Sequence, residues 1–378
     1  MPAPCAKPAR NLVRRMSEGR RFRNFDMLRL VAAASVIFSH SFLIVDGHER
    51  NEPILKLTGY IVGIYGVFVF LIVSGYLVTQ SLFQSSSFRD FAWKRALRIY
   101  PALVTCALVC AVIIAPFYST LLPVQYLLSL HWVRYVVDVV LLYDVYEIPT
   151  VRFHEMMADG IGASVNGSLW SIGSEIHCYV LLGIIAALEF LSLRTILAGL
   201  VVASAGLLLF VIGKVSFDSS MMDNIVYTFP SFCAGSAMYF IRRRGELSGK
   251  VALLSLAAFV LAARSGYLVV LFPFLAAYPI VYLGLSQRIR LGNAARFGDL
   301  SYGTYLYGWP MQQVARSLMG PSVNPYLLAA ASLPAALACG LLSWHLVEKR
   351  ALRFKAAARG PTALPLPYAA TAVVQEPG

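Results

Sequence analysis

The chain has 378 residues, of which 58% are hydrophobic and only 13% charged, about half the ~25% charge of soluble domains. With a mean hydropathy of +0.67, this composition excludes a soluble, collagen-like or disordered chain and implies an all-α polytopic membrane protein. The formal net charge of +13 suits cytoplasmic flanks that face anionic lipid, so membrane lipid and not nucleic acid is the expected partner.

Residues 1–24 carry Lys7, Arg10, Arg14, Arg15, Arg20, Arg21 and Arg23 and read as a basic cytoplasmic tail. The apolar stretch Met27–Val45 is too long for a signal-peptide core, and no small-residue cleavage site follows it, so it reads as an uncleaved first span. Nine further stretches of about spanning length follow: Leu57–Phe83, Tyr100–Tyr118, Ser168–Phe190, Thr195–Ile212, Ile225–Ile241, Val251–Ala263, Tyr267–Leu285, Leu300–Met319 and Tyr326–His345. With a cytoplasmic N-terminus, 24 Lys and Arg fall on inner segments and six on outer ones. That bias predicts about ten transmembrane helices with both termini cytoplasmic. The membrane domain then covers 25–357. Residues 358–378, with Pro361, Pro365, Pro367 and Pro377, read as a disordered cytoplasmic tail.

The long outer connection 119–167 is unusual. Leu121–Leu130 and Val133–Tyr146 are apolar but contain Arg134, Asp138 and Asp144, which suits interfacial helices over the outer face better than two more spans. Such a loop serves as a substrate platform or simply packs on the bundle. The six cysteines form no CxxC pair and have no His partner at ligand spacing, so no metal site is expected.

Ionisable residues inside spans default to function or to packing within the bundle. Arg29 and His40 lie eleven residues apart, hence on one helix face and ~16 Å apart along the axis. His40 falls in the outer half, where an imidazole suits a general base and equally suits a packing hydrogen bond. Glu175, in Asn166-Gly-Ser-Leu-Trp-Ser-Ile-Gly-Ser-Glu175, lies ~10 Å in from the outer end of its span. That is the expected depth of His40, so the two are expected to pair, with Glu175 orienting the imidazole. Lys94, Arg95 and Arg98 share the inner mouth with Arg29 and with Ser74-Gly75-Tyr76. Several cations beside a glycine turn suit a phosphorylated ligand, and also suit ordinary positive-inside flanks. Tyr302, Tyr305 and Trp309 recur at helical spacing in a span too polar for lipid contact alone, so they are expected to line a cavity.

Taken together, these segments resemble the acyltransferase family 3 of integral-membrane O-acyltransferases. Arg29 through His40 is similar to its Arg-x10-His signature. Phe68–Leu77 with Lys94-Arg95 and Arg98–Pro101 resembles its second block, Asn166–Tyr179 its Asn-Gly-x-Leu-Trp-x4-Glu motif, and Ser301–Pro310 with Leu346–Lys349 its C-terminal blocks. Gly308 stands where a His is common in relatives, and Arg350 where a Pro is common. With no fused extracytoplasmic hydrolase-like domain in view, the chain resembles the stand-alone form, a multi-pass protein of the bacterial inner (plasma) membrane.

The resemblance implies transfer of an acyl group, most often acetyl, from cytoplasmic acetyl-CoA to a hydroxyl of a carbohydrate, typically a surface or exported glycan. His40 and Glu175 would be catalytic. Arg29, Ser74, Tyr76, Arg95 and Arg98 would hold coenzyme A, and Trp170, Tyr305 and Trp309 the acceptor. A competing reading is a proton-coupled transporter or flippase with His40 and Glu175 as relay. It favours internal repeats, and none is visible.

Overall fold

The computed structural model describes residues 23–154, 161–215, 220–292 and 294–355. Most of the basic N-terminal tail and the whole of 358–378 lie outside the described residues. Among the described residues the protein is all-helical, with only two isolated bridges, Ser119–Val151 and Glu147–Ser164, instead of a sheet.

Seven segments are helical, long and apolar enough to cross a membrane. They are α1 (Arg23–Asp46), α3 (Val62–Phe83), α4 (Phe88–Leu108 with the turns that extend it to Tyr118), α7 (Trp170–Ala187), α8 (Leu193–Val211), α11 (Leu268–Leu285) and α13 (Pro325–Ser343 with the turns that extend it to Lys355). The short α2 (Pro53–Thr58) joins α1 to α3. Three more helices occupy the remaining expected segments: α9 (Ser220–Arg244), α10 (Gly249–Ala262) and α12 (Ser301–Met319). α9 carries Asp223 in its first turn and Arg242, Arg243 and Arg244 in its last. α10 has only 14 residues, about 21 Å of helix. α12 is rich in Tyr and Gln and is buried along most of its length.

Between α4 and α7 the chain forms α5 (Pro123–Leu128) and α6 (His131–Val140), each far too short to span. Tyr126, Tyr135 and Val139 are buried, whereas Leu122, Val124, Leu128 and Leu141 are exposed. The Tyr126 hydroxyl donates to the Ala111 carbonyl at 2.8 Å, inside the π turn Val109–Ile114 that interrupts the end of α4.

α3 is the most buried of the seven and packs on α1, α9, α11 and α7. Its closest approach, to α9, is made by a reciprocal pair of glycines. A Cβ on Gly75 would collide with the Phe232 carbonyl, and one on Gly235 with the Ile72 carbonyl. Small residues let helix backbones touch in this way. Widening the contact should cost on the order of 1–3 kcal/mol by overpacking. Gly235→Leu is therefore expected to lower the thermal unfolding midpoint of the detergent-solubilised protein by several degrees, while Gly206→Ala, in a helix interior where it meets no neighbour within 4 Å, does not lower it.

Candidate active site

At one end of the bundle, Asp299 sits in the turn just before α12 and receives two guanidinium groups. Arg98 of α4 donates to its Oδ2 at 2.5 Å, and Arg29 of α1 pairs with the same oxygen at 3.6 Å. Arg98 also reaches Glu348 at 3.3 Å, whose other oxygen accepts from the Ser343 hydroxyl at 3.1 Å. The Arg98 guanidinium lies 5.6 Å over the Tyr302 ring, and the Tyr302 hydroxyl donates to the Ile99 carbonyl at 3.2 Å. Burial by itself would raise the Asp299 carboxyl. Arg98, Arg29, and the hydroxyl and backbone N–H of Ser301 outweigh it and hold that carboxyl below its usual range.

Arg95, one turn before Arg98, donates to the Ser81 hydroxyl at 3.2 Å and lies 6.0 Å over the Tyr179 ring. The Tyr179 hydroxyl donates to Glu175 Oε1 at 2.5 Å and lies 3.0 Å from the Ser74 hydroxyl, which also donates to Glu175 Oε1. Glu175 borders a cavity of about 30 Å³ with Val67, Phe70, Ser171, Tyr302 and Tyr305. Across that cavity the Tyr305 hydroxyl is 2.7 Å from the Ser171 hydroxyl and 2.8 Å from the Ser168 carbonyl.

His40 lies further along the same line. Its ring meets Trp309 edge-on at 4.9 Å between centroids, a favoured aromatic geometry, and its Nδ1 has no hydrogen-bond partner. Trp309 is locked in turn. Its indole N–H donates to the Ser164 carbonyl at 3.0 Å, and Gly167 lies against its ring, where a Cβ would come within 2.9–3.0 Å of three ring atoms. One residue earlier in α12, Gly308 meets Ile37 of α1 in the same close manner. Pro310 has no backbone N–H, so the Leu306 carbonyl loses its helical partner. The Asn166 amide supplies the missing donor at 2.9 Å. Gln313 continues the seam, donating to the Ile161 and Ser164 carbonyls at 2.6 and 2.8 Å.

Tyr302, Tyr305 and Trp309 thus form one face of α12, and they measure about 10 Å from the arginine end to His40. Arg29, Ser74, Glu175, Arg95, Arg98, Tyr305 and Trp309 all fall on this line. One expected member does not. Tyr76 turns the other way, into an aromatic cluster with Phe25 at 5.7 Å and Tyr239 at 5.8 Å. Trp170 is half-buried against the apolar cluster that also holds Tyr302 and Tyr305.

No hydrogen bond joins Glu175 to His40. Equal depth assumed that their helices start at one level. Gly167 lies beside Trp309, and so at the level of His40, which means α7 begins well short of the Asp46 end of α1. Glu175, eight residues past Gly167, is about 12 Å nearer the arginines. Of the other residues along this line, Asp299 was not singled out in the sequence, whereas Asn166, Tyr179 and Glu348 lay inside the motifs quoted above without a role of their own. Pro310 was a further local signal, because its orphaned carbonyl requires a donor from elsewhere.

The acyltransferase domain family matches residues 22–345, a stretch that contains this entire line except Glu348. The chain belongs to the acyltransferase family 3. It is 30% identical over 344 residues, covering 87% of this chain and 95% of the relative, to a protein of Shigella phage Sf6 named O-acetyl transferase. It is 26% identical over 361 residues, covering 90% and 95%, to Nodulation protein 10 of Rhizobium leguminosarum bv. viciae. No solved structure matches the chain significantly. In this acyltransferase 3 protein a line of polar residues runs through the helical bundle from a cationic end to a histidine.

Two outcomes test this geometry. Because the folded Asp299 carboxyl titrates below its usual range, the stability it supplies is complete above the ordinary carboxylate pKa and is lost as pH falls through its depressed value. Asp299→Asn should lower the unfolding midpoint at neutral pH by an amount equivalent to about 3 kcal/mol and flatten the acid side of a midpoint-against-pH curve. Gly167→Ala should displace the Trp309 indole and, with it, the His40 ring. Acyl transfer is expected to fall about 10- to 100-fold with donor binding unchanged, measured on the same reconstituted preparation.

Proposed function

We propose that this acyltransferase moves an acetyl group from cytoplasmic acetyl-CoA to a hydroxyl of a carbohydrate acceptor, with His40 as general base. The carrying observation is the polar line along α12, which joins a cluster of arginines to a buried histidine with an unpartnered ring nitrogen. The relative named as an O-acetyl transferase supports acetyl as the group and oxygen as the acceptor atom. Placed in a bacterial plasma membrane, the bundle would have ten spans, both termini in the cytoplasm, the arginines at the inner mouth and His40 in the outer half. α5, α6 and the rest of 119–167 would lie over the outer face and help to shape the acceptor site.

In this reading Arg29, Arg95 and Arg98 attract the phosphates of coenzyme A, and the pantetheine arm extends past Glu175, Ser74 and Tyr305 toward His40. The cavity beside Glu175 has room for roughly two water molecules, so passage requires Phe70 or Tyr305 to rotate. The acceptor O–H then attacks the thioester carbonyl while His40 takes its proton. A C–O bond forms, the C–S bond breaks, and His40 returns the proton to the departing thiolate. Trp309 holds the imidazole in place. Glu175, held by Ser74 and Tyr179, acts on the arm or the thioester rather than on His40.

The deciding experiment uses protein reconstituted in nanodiscs with radiolabelled acetyl-CoA and a panel of glycans. His40→Ala is expected to abolish transfer to the accepted glycan while donor binding persists. Glu175→Gln should reduce turnover by at least about tenfold without shifting the pH profile, because the two residues are not paired. A shifted profile would restore the dyad. Thioester that stays intact with every glycan, in a protein that still binds donor, would favour the transport reading.

A further inference from the structure

The matched family segment ends at residue 345, but the helical chain continues to Lys355 as a strap that runs along the arginine end. It comprises a π turn Trp344–Glu348, the short α14 (Lys349–Ala351) and a 3-10 turn Leu352–Lys355. A π turn inserted into a helix redirects the residues beyond it, and here the strap packs along α4. Two contacts fix it. Buried Glu348 bonds Arg98 at 3.3 Å. The buried Trp344 indole lies on the backbone of Gly298, whose φ of 105° and lack of a Cβ make the approach possible.

The last turn of the strap packs on α4, which brings half-buried Lys355 to the end of α4 that carries Lys94, Arg95 and Arg98, with Asp299 also acting on it. The carboxylates there are already committed. Asp90 holds Lys94 at 2.6 Å, and Asp299 and Glu348 are shared by Arg29 and Arg98. Among the described residues, no carboxylate forms an ion pair with Arg95 or Lys355, and Arg95 Nε is buried without a hydrogen-bond partner. Two cations brought to one place without an ion-paired carboxylate repel each other, and a multiply charged anion relieves that cost.

We propose that Arg95 and Lys355 form a phosphate clamp for the acyl donor. The strap beyond the matched domain then selects a phosphate-bearing acyl thioester over a phosphate-free pantetheine thioester. This inference rests on the acyl-donor reading above. A lipid headgroup offers the same phosphate chemistry, so the test separates the two sources.

The experiment measures calorimetric binding of coenzyme A and of acetyl-pantetheine to the full chain in phosphatidylcholine nanodiscs, and repeats it in phosphatidylglycerol nanodiscs. Lys355→Ala is expected to weaken coenzyme A binding about tenfold, the size of one charge-assisted contact. It should leave acetyl-pantetheine binding unchanged in either lipid, and Lys355→Arg should restore coenzyme A binding. Equal binding of coenzyme A by wild type and Lys355→Ala would overturn the clamp and leave the donor reading standing. Equal weakening for both ligands would assign Lys355 a merely structural role and overturn it too. A difference confined to phosphatidylglycerol would give the phosphate to the lipid and overturn the donor clamp. Failure of the wild type to bind coenzyme A in either lipid would overturn the donor reading, and this inference with it.

Discussion

The Asp299 carboxylate is the constraint on which the rest of the site depends. It lies in the turn before α12 and collects Arg98 from α4 and Arg29 from α1, while Glu348 at the end of α13 shares Arg98. Elements from the beginning, middle and end of the chain are therefore joined through one partly buried ionic cluster. An unpaired arginine in such a place costs several kcal/mol, so each of these elements is held in register by the charge it must neutralise. The same cluster decides which cations are ion-paired. Among the described residues Arg29 and Arg98 are, and Arg95 and Lys355 are not.

From that anchor α12 runs as a ruler. Its face carries Tyr302 over Arg98, Tyr305 beside the Glu175 cavity and Trp309 against His40. The opposite wall is fastened rung by rung: Asn166 to the Leu306 carbonyl, Ser164 to the Trp309 indole, and Ile161 and Ser164 to Gln313. The proline within α12 is part of this arrangement. By freeing one carbonyl it creates a buried acceptor that only a side chain from another segment can satisfy, and it thereby ties the segment preceding α7 to the histidine.

Much of this was legible in the amino-acid order because lipid allows so few places for charge. Arg29, His40 and Glu175 stand out in apolar stretches and Arg95 and Arg98 at the mouth of one, and the structure puts all of them along one line. The acidic partners were harder to see. Asp299 and Glu348 lie beside Lys and Arg runs, where an acid looks like part of a solvated flank, and nothing local distinguishes it from one. Tyr76 lies apart from Ser74 for a related reason. It sits two residues from Ser74, and on a helix that separation of about 200° sends the two side chains to different neighbours.

The sequence by itself determined that the chain is a helical membrane protein, which segments form its long apolar helices, which family it resembles, and that Arg29 and His40 share a face. Those properties follow from composition and from the fixed rise and twist of a single helix. Only the tertiary structure decided the level of one helix against another. That level set Glu175 with Ser74 and Tyr179 instead of His40, gave His40 to Trp309, and brought Asp299 and Glu348 to Arg98. Periodicity measures position along a helix from its own end. Where that end lies in the bundle depends on close packing at residues such as Gly75, Gly235 and Gly167, and on buried charges that must find partners far away in the chain.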